Sequence, residues 1–272
     1  MPTSNVARSN QLHPLTSNWV DRVRLQFGTV PDHKLSAIDQ FVKRLASLGL
    51  YSDNATSIIR YLLIFSATSG FQGCNVPLID TSRVGNAVLN NYSASSWSDS
   101  GLVGDGSTAF VDTRWFPSQP SSISSGNGHF LVWKTVKNAP RGVNGASDGN
   151  REWLLGGAFT AFNSILHAES TTVTSGVVLA ESFDTAACHL CSRLDTSITY
   201  FRDGLLQNTI LVSGVGFVLL RPIYLHAVND NGTTSDFNGD RIFCNSLGDG
   251  LSANQCREYF NVLALLKNRL GA

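Results

Sequence analysis

From Thr108 onward the chain reads as a succession of short β-prone runs, and this pattern limits its fold more than any other feature. Residues 108–113 (Thr-Ala-Phe-Val-Asp-Thr), 129–134 (His-Phe-Leu-Val-Trp-Lys), 152–155 and 171–174 are rich in β-branched and aromatic residues. They are bounded by Gly, Ser or Asn, as are the runs at 175–180, 197–201, 205–212, 217–220, 223–228 and 241–244. About ten strands at this spacing, with no long helical stripe between them, predict an antiparallel sandwich rather than a parallel α/β sheet. One turn is specified locally: Asp203-Gly204 separates two apolar runs, and that pair suits the two-residue turn whose positive φ angles match strand twist.

Helical periodicity is confined to the two sides of this region. Leu35, Ile38, Phe41, Val42, Leu45 and Leu48 form one stripe, closed by Gly49 as a C′ residue. Near the end of the chain, Ser252 and Gln255 form a capping box, and Cys256, Tyr259, Leu263, Leu266 and Leu270 line one face behind it. Residues 58–65 are continuously apolar apart from Arg60; their length and their β-branched and aromatic content leave helix and strand open, with helix favoured. The organisation expected is a polar N-terminal arm at 1–30, a helical and irregular lead-in at 31–106, and a sandwich with its C-terminal helix at 107–272. The arm shows no sustained period, and Val6, Leu12, Leu15 and Trp19 are its candidate assembly anchors.

Charge narrows the range of partners. The 272 residues carry 20 Lys+Arg against 20 Asp+Glu, with no basic block, so the footprint of a nucleic-acid or anionic-membrane binder is missing. The longest apolar runs, at 61–65 and 214–220, fall far short of the ~18–20 residues that span a bilayer. Residues 1–10 are polar and lead into no signal-like apolar stretch, which predicts synthesis in a cytosol. Five cysteines, an odd number without framework spacing, suit reduced thiols.

Motifs that carry chemistry are sparse. Cys188-His-Leu-Cys191 is the metal candidate, since two thiolates across a CxxC can bind zinc, yet no second ligand pair follows. Asp236, Asn238 and Asp240 alternate like the first ligands of a calcium loop, but Arg241 and Leu247 stand where Gly and Glu are needed. No metal and no cofactor are expected. Glycoside hydrolysis needs two carboxyls roughly 5–10 Å apart. Of the four Glu, none lies two residues from another acid, and the pairs Asp148 with Glu152 and Glu181 with Asp184 straddle turns. With no GxSxG, HExxH or dinucleotide loop either, the chain is read as a non-enzyme. Among the aromatics, Trp133 and Trp153 sit inside strands and are assigned to the core, whereas Trp97 and Trp115, beside Ser, Asp and Pro, are the glycan-contact candidates.

In order along the chain, these segments resemble a concanavalin A-like, laminin-G-like jelly-roll domain of the kind found among bacteriophage virion structural proteins. The resemblance runs from about Ile38 to Leu270. It is carried by the helix ending in Leu48-Gly-Leu-Tyr51, by Gly101-Leu-Val-Gly-Asp-Gly-Ser107 leading into Phe110-Val-Asp112, and by the Arg202-Asp203-Gly204 hairpin. Tyr224-Leu-His-Ala-Val-Asn229 and Ser246-Leu-Gly-Asp-Gly-Leu251 complete it. It implies two antiparallel sheets face to face with helices at the periphery, and a virion component (capsid decoration, head-fibre or tail) that assembles with other virion proteins, forms a homo-oligomer and contacts host-surface glycan. The competing reading is a free lectin or a degenerate glycoside hydrolase. The resemblance carries over no catalytic residue.

Overall fold

The computed structural model describes residues 11–53, 56–118, 127–138, 144–147, 152–155, 162–164, 177–179, 185–211 and 219–272. The protein is mainly β, a sandwich of two sheets with flanking helices. The first sheet runs, in spatial order, Leu205–Leu211, Ser197–Arg202, Cys188–Leu194, Asn127–Val136, Arg241–Gly248, Ile59–Ile64 and Ile79–Asp80. Gly101–Val103 pairs with Arg241–Gly248 beside this row. The second sheet runs Thr233–Ser235, Val228–Asp230, Asn144–Ser147, Tyr224–Leu225, Phe110–Asp112 and Val88–Asn90. Pairing is antiparallel except where Val228–Asp230 lies parallel to Asn144–Ser147.

The described residues include three α-helices: α1 (Pro14–Leu25), α2 (Asp32–Ser47) and α3 (Ala253–Leu270). They cover the outer face of the first sheet, so that sheet is buried on both sides. Alternation along its strands shows this directly. Leu62, Ile64, Leu131, Trp133 and Phe243 point into a core shared with Ile38, Leu45, Tyr259 and Leu263 of the helices. Tyr61, Leu63, Phe130, Val132 and Ile242 point the other way, against Val111, Ala146 and Leu225 of the second sheet and Trp153 of the strand Glu152–Leu155, which pairs with Asn144–Ser147. A strand buried on both faces loses its polar positions and becomes a continuous apolar run.

That is why residues 58–65, expected as a helix, instead form the strand Ile59–Ile64, placed between Arg241–Gly248 and Ile79–Asp80. Its one charged residue, Arg60, pairs with Asp249 at 2.7 Å. The division expected at 106/107 therefore does not separate lead-in from sandwich, because this strand belongs to the first sheet. The arm expected at 1–30 is corrected as well. Pro14, at the start of α1, has the fixed φ suited to a first helical turn, and Thr16, Trp19, Val20 and Val23 form a buried stripe. Trp19 is 1% exposed and donates its indole N–H to the Val76 carbonyl at 3.1 Å. Leu15 packs half-buried on the same core, Leu12 is half-buried, and Val6 lies outside the described residues.

Local signals hold where they were complete. Asp203 and Gly204 have φ of 50° and 75°, with Arg202 opposite Leu205 across the turn. Ser252 and Gln255 cap α3 reciprocally, and Gly49 follows α2 with φ 68°. A Cβ at Gly204 would meet the Phe260 ring at 2.5 Å. Gly204→Ala, combining that contact with a positive φ, is expected to cost about 1–3 kcal/mol, read as a lowered thermal midpoint. A midpoint equal to that of the parent would contradict this packing. Trp133 and Trp153 are core residues as expected, although Trp133 faces the helices and Trp153 lies between the sheets. The run at 171–174 lies outside the described residues, the strand Val177–Leu179 falls within the run at 175–180, and Leu219-Leu220 is not strand.

Candidate functional site

The expected site residues are largely drawn into structure. Trp115 is fully buried between the sheets, 5.8 Å from Trp153, and is no glycan platform. Reciprocal backbone bonds turn it inward: Thr113 N–H donates to the Ile223 carbonyl and Ile223 N–H to the Trp115 carbonyl. Trp97 is half-buried, donates its indole N–H to the Phe65 carbonyl at 2.7 Å, and has the Lys34 ammonium 5.7 Å from its ring centroid. Trp115 is closed to a ligand, whereas Trp97 keeps some exposed surface with its indole N–H already engaged.

Cys188 and Cys191 lie on one strand, three residues apart, and so project from opposite faces of the sheet. Cys188 faces the helices and Cys191 faces the second sheet, which excludes a shared metal. Burial pushes the Cys188 thiol well above its ordinary pKa. The acids at 236–240 serve the loop itself. Asp236 is exposed at φ 50°, while Asn238 is buried, its N–H donating to the His226 carbonyl at 2.8 Å. Asp240 is buried against Lys134 at 2.7 Å and accepts the Asn138 N–H. Among the described residues no group of three or more His, Cys, Asp or Glu is placed to hold a metal ion. Asp148, Glu181 and Asp184, and the side chain of Glu152, fall outside what is described.

A different surface gathers the groups a ligand needs. On the second sheet Val111 and Leu225 point into the core, so alternation turns Phe110, Asp112 and Tyr224 to the outer face. Tyr224 sits directly across from Asp112, and Val88 and Asn90 flank Asp112 and Phe110 on the other side. The Phe110 and Tyr224 rings lie 4.7 Å apart, and Phe237 meets Phe110 edge-on at 6.3 Å. The calcium-like loop therefore has an identifiable task, since the anchoring of Asn238 and Asp240 fixes Phe237 beside the sheet. On the far side of Tyr224 stands Gly145, whose bare backbone leaves that flank without a side chain. A Cβ there would collide with the Trp153 carbonyl.

All three rings are half-buried. Each is fixed in part by packing and keeps some exposed surface. Partial burial pushes the Asp112 carboxyl above the usual carboxylate range, opposed by the Arg114 N–H that donates to it at 2.7 Å. The Tyr224 hydroxyl is likewise raised, first by burial and then by Asp112. Arg221 is held near this face through Asn231 at 2.5 Å. Apolar ring faces next to a carboxylate and an amide suit a ligand with a C–H face and hydroxyl edges.

A polar hollow of about 550 Å³ beside α1 has no such free chemistry. In it Asp80 accepts the N–H groups of Val84 and Gly85, Asp53 accepts the Tyr51 hydroxyl, and Arg60 is paired with Asp249.

No protein-family model matches the chain, and no curated protein sequence matches it. Among solved structures it is similar to Trypanosoma rangeli sialidase in complex with sialic acid, at TM-score 0.52 and 14% identity, over 86% of this chain and 38% of that one. The same sialidase with 2,3-difluorosialic acid as a covalent intermediate aligns at TM-score 0.51 and 12% identity, over 85% of this chain and 40% of that one. The chain thus spans about two fifths of the length of these sialidase structures. At this identity the likeness is one of fold. No helix among the described residues is long and apolar enough to cross a membrane.

Proposed function

We propose that the chain is a non-enzymatic glycan-binding sandwich, built into a bacteriophage particle as a capsid decoration, head-fibre or tail component. The observation that carries the glycan reading is the Phe110, Tyr224 and Phe237 cluster on the outer face of the second sheet, beside Asp112. Fold similarity to a sugar-complexed sialidase supports it, and the resemblance to virion jelly-roll domains supports the particle context. Asp112 is the single carboxylate among the described residues of strands Phe110–Asp112, Tyr224–Leu225 and Val88–Asn90, short of the pair that most glycoside hydrolases use. Binding by one such face is weak, and several copies on a particle multiply it.

A glycan array probed with the purified protein and with Tyr224→Ala tests the site. The parent is expected to bind a restricted set of oligosaccharides, and Tyr224→Ala to weaken that binding about tenfold, as a lost stacking contact of ~1–1.5 kcal/mol implies. A parent that binds nothing, or a folded Tyr224→Ala that binds equally well, overturns this reading. Mass spectrometry of purified particles tests the virion assignment, which fails if the protein is absent from them.

A further inference from the structure

Helices α2 and α3 leave a groove of about 360 Å³ on the side facing away from the sheets. Its floor is apolar, made by Ala37 and Phe41 of α2 with Val262 and Leu266 of α3. On its rim Leu265 is 51% exposed, with Glu258 and Arg269 on the same helix. Gln40 and Arg44 form the α2 rim, and Arg269 bonds across to Gln40.

We propose that this groove is a two-fold interface in which a second copy of the chain docks α3 against α3 in antiparallel. The exposed face of α3 is complementary to itself. Glu258 and Arg269 are eleven residues apart, just over three turns, and so share one face of α3 about 16 Å apart. An axis that sets Glu258 against Arg269 of the second copy pairs positions whose numbers sum to 527. That same axis sets Leu265 against Val262 of the second copy, placing each exposed leucine over the apolar floor of the other groove. One operator thus satisfies both the charged and the apolar positions, as an isologous contact requires. An unrelated partner would leave that coincidence without a cause. The interface lies on the helical side of the first sheet, away from the aromatic face, and does not depend on glycan binding.

Sedimentation equilibrium and light scattering on the full chain test it. The parent is expected to dimerise, and Leu265→Asp to be monomeric with an unchanged far-ultraviolet spectrum. Glu258→Arg and Arg269→Glu should each weaken the dimer about tenfold or more, and the double reversal should recover affinity to within about threefold. A monomeric parent, a dimer indifferent to Leu265→Asp, or charge reversals that accumulate without rescue would each overturn the proposal.

Discussion

Acidification from pH 7 to pH 4 should unfold this protein cooperatively, through three buried neutral histidines. His129, His189 and His226 are each 0% exposed, and burial lowers them to about 4, 3 and 4 respectively. The hydrogen bonds of the first two suit the neutral ring. His129 donates from Nδ1 to the Asp249 carbonyl at 2.6 Å and accepts at Nε2 from the Ser246 hydroxyl at 3.0 Å. His189 donates from Nε2 to the Thr185 carbonyl and accepts at Nδ1 from the Tyr200 hydroxyl.

Because the folded values lie below the unfolded ~6.5, the unfolded chain binds more protons, and stability falls as pH drops below about 6.5. Each histidine loses about 1.4 kcal/mol per pH unit over that window, so three together lose roughly 4 kcal/mol per unit. A total stability of about 5–10 kcal/mol would then be lost between about pH 5.3 and pH 4. Asp80 and Asp112, whose carboxyls are raised by burial, oppose the trend only near the carboxylate range. Urea midpoints measured from pH 7 to pH 4.5 check this, and a stability flat across that range would contradict neutral burial of all three rings.

Leu263→Asp is expected to be the most damaging single change on α3. Leu263 is 0% exposed in the core that joins the helices to the first sheet, among Cys256, Tyr259 and Leu266. The substitution removes about 2 kcal/mol of apolar burial and buries an unpartnered carboxyl, for a total of about 4 kcal/mol or more. At about 2–4 °C per kcal/mol, the thermal midpoint should fall by roughly 10 °C or more. Asn268→Ala, on the exposed side of the same helix, should stay within about 0.5 kcal/mol. Comparable midpoints for the two variants would contradict the packing of α3.

What the sequence disclosed depended on how local each signal was. The Asp203-Gly204 turn and the Ser252 cap are decided by a few neighbouring residues, and both are present as read. The strand Ile59–Ile64 was not legible as a strand, because its two covers, the helices on one face and the second sheet on the other, come from distant parts of the chain. α1 carried a readable stripe at Thr16, Trp19, Val20 and Val23, obscured by its Ser, Asn and Pro content and by a threonine serving as a core residue. Trp115 was misplaced because its polar neighbours suggested a loop, and its reciprocal bonds to Ile223 could not be inferred from spacing.

The candidate site was half legible. Alternation in Phe110-Val111-Asp112 separates the two faces, but only the pairing with Tyr224-Leu225 and the burial of Val111 show which of them is outward. Phe237 gave no signal, since it joins the rings through a loop fixed by Asn238 and Asp240.

The central claim is that glycan binds the outer face of the second sheet, and amide chemical-shift mapping tests it most directly. An isotope-labelled sample would be titrated with the oligosaccharide that gives the strongest array signal. The account predicts that the largest shifts fall on Val88–Asn90, Phe110–Asp112, Tyr224–Leu225 and Phe237. Shifts centred elsewhere, on the α2–α3 groove or the hollow lined by Asp53 and Asp80, would contradict it.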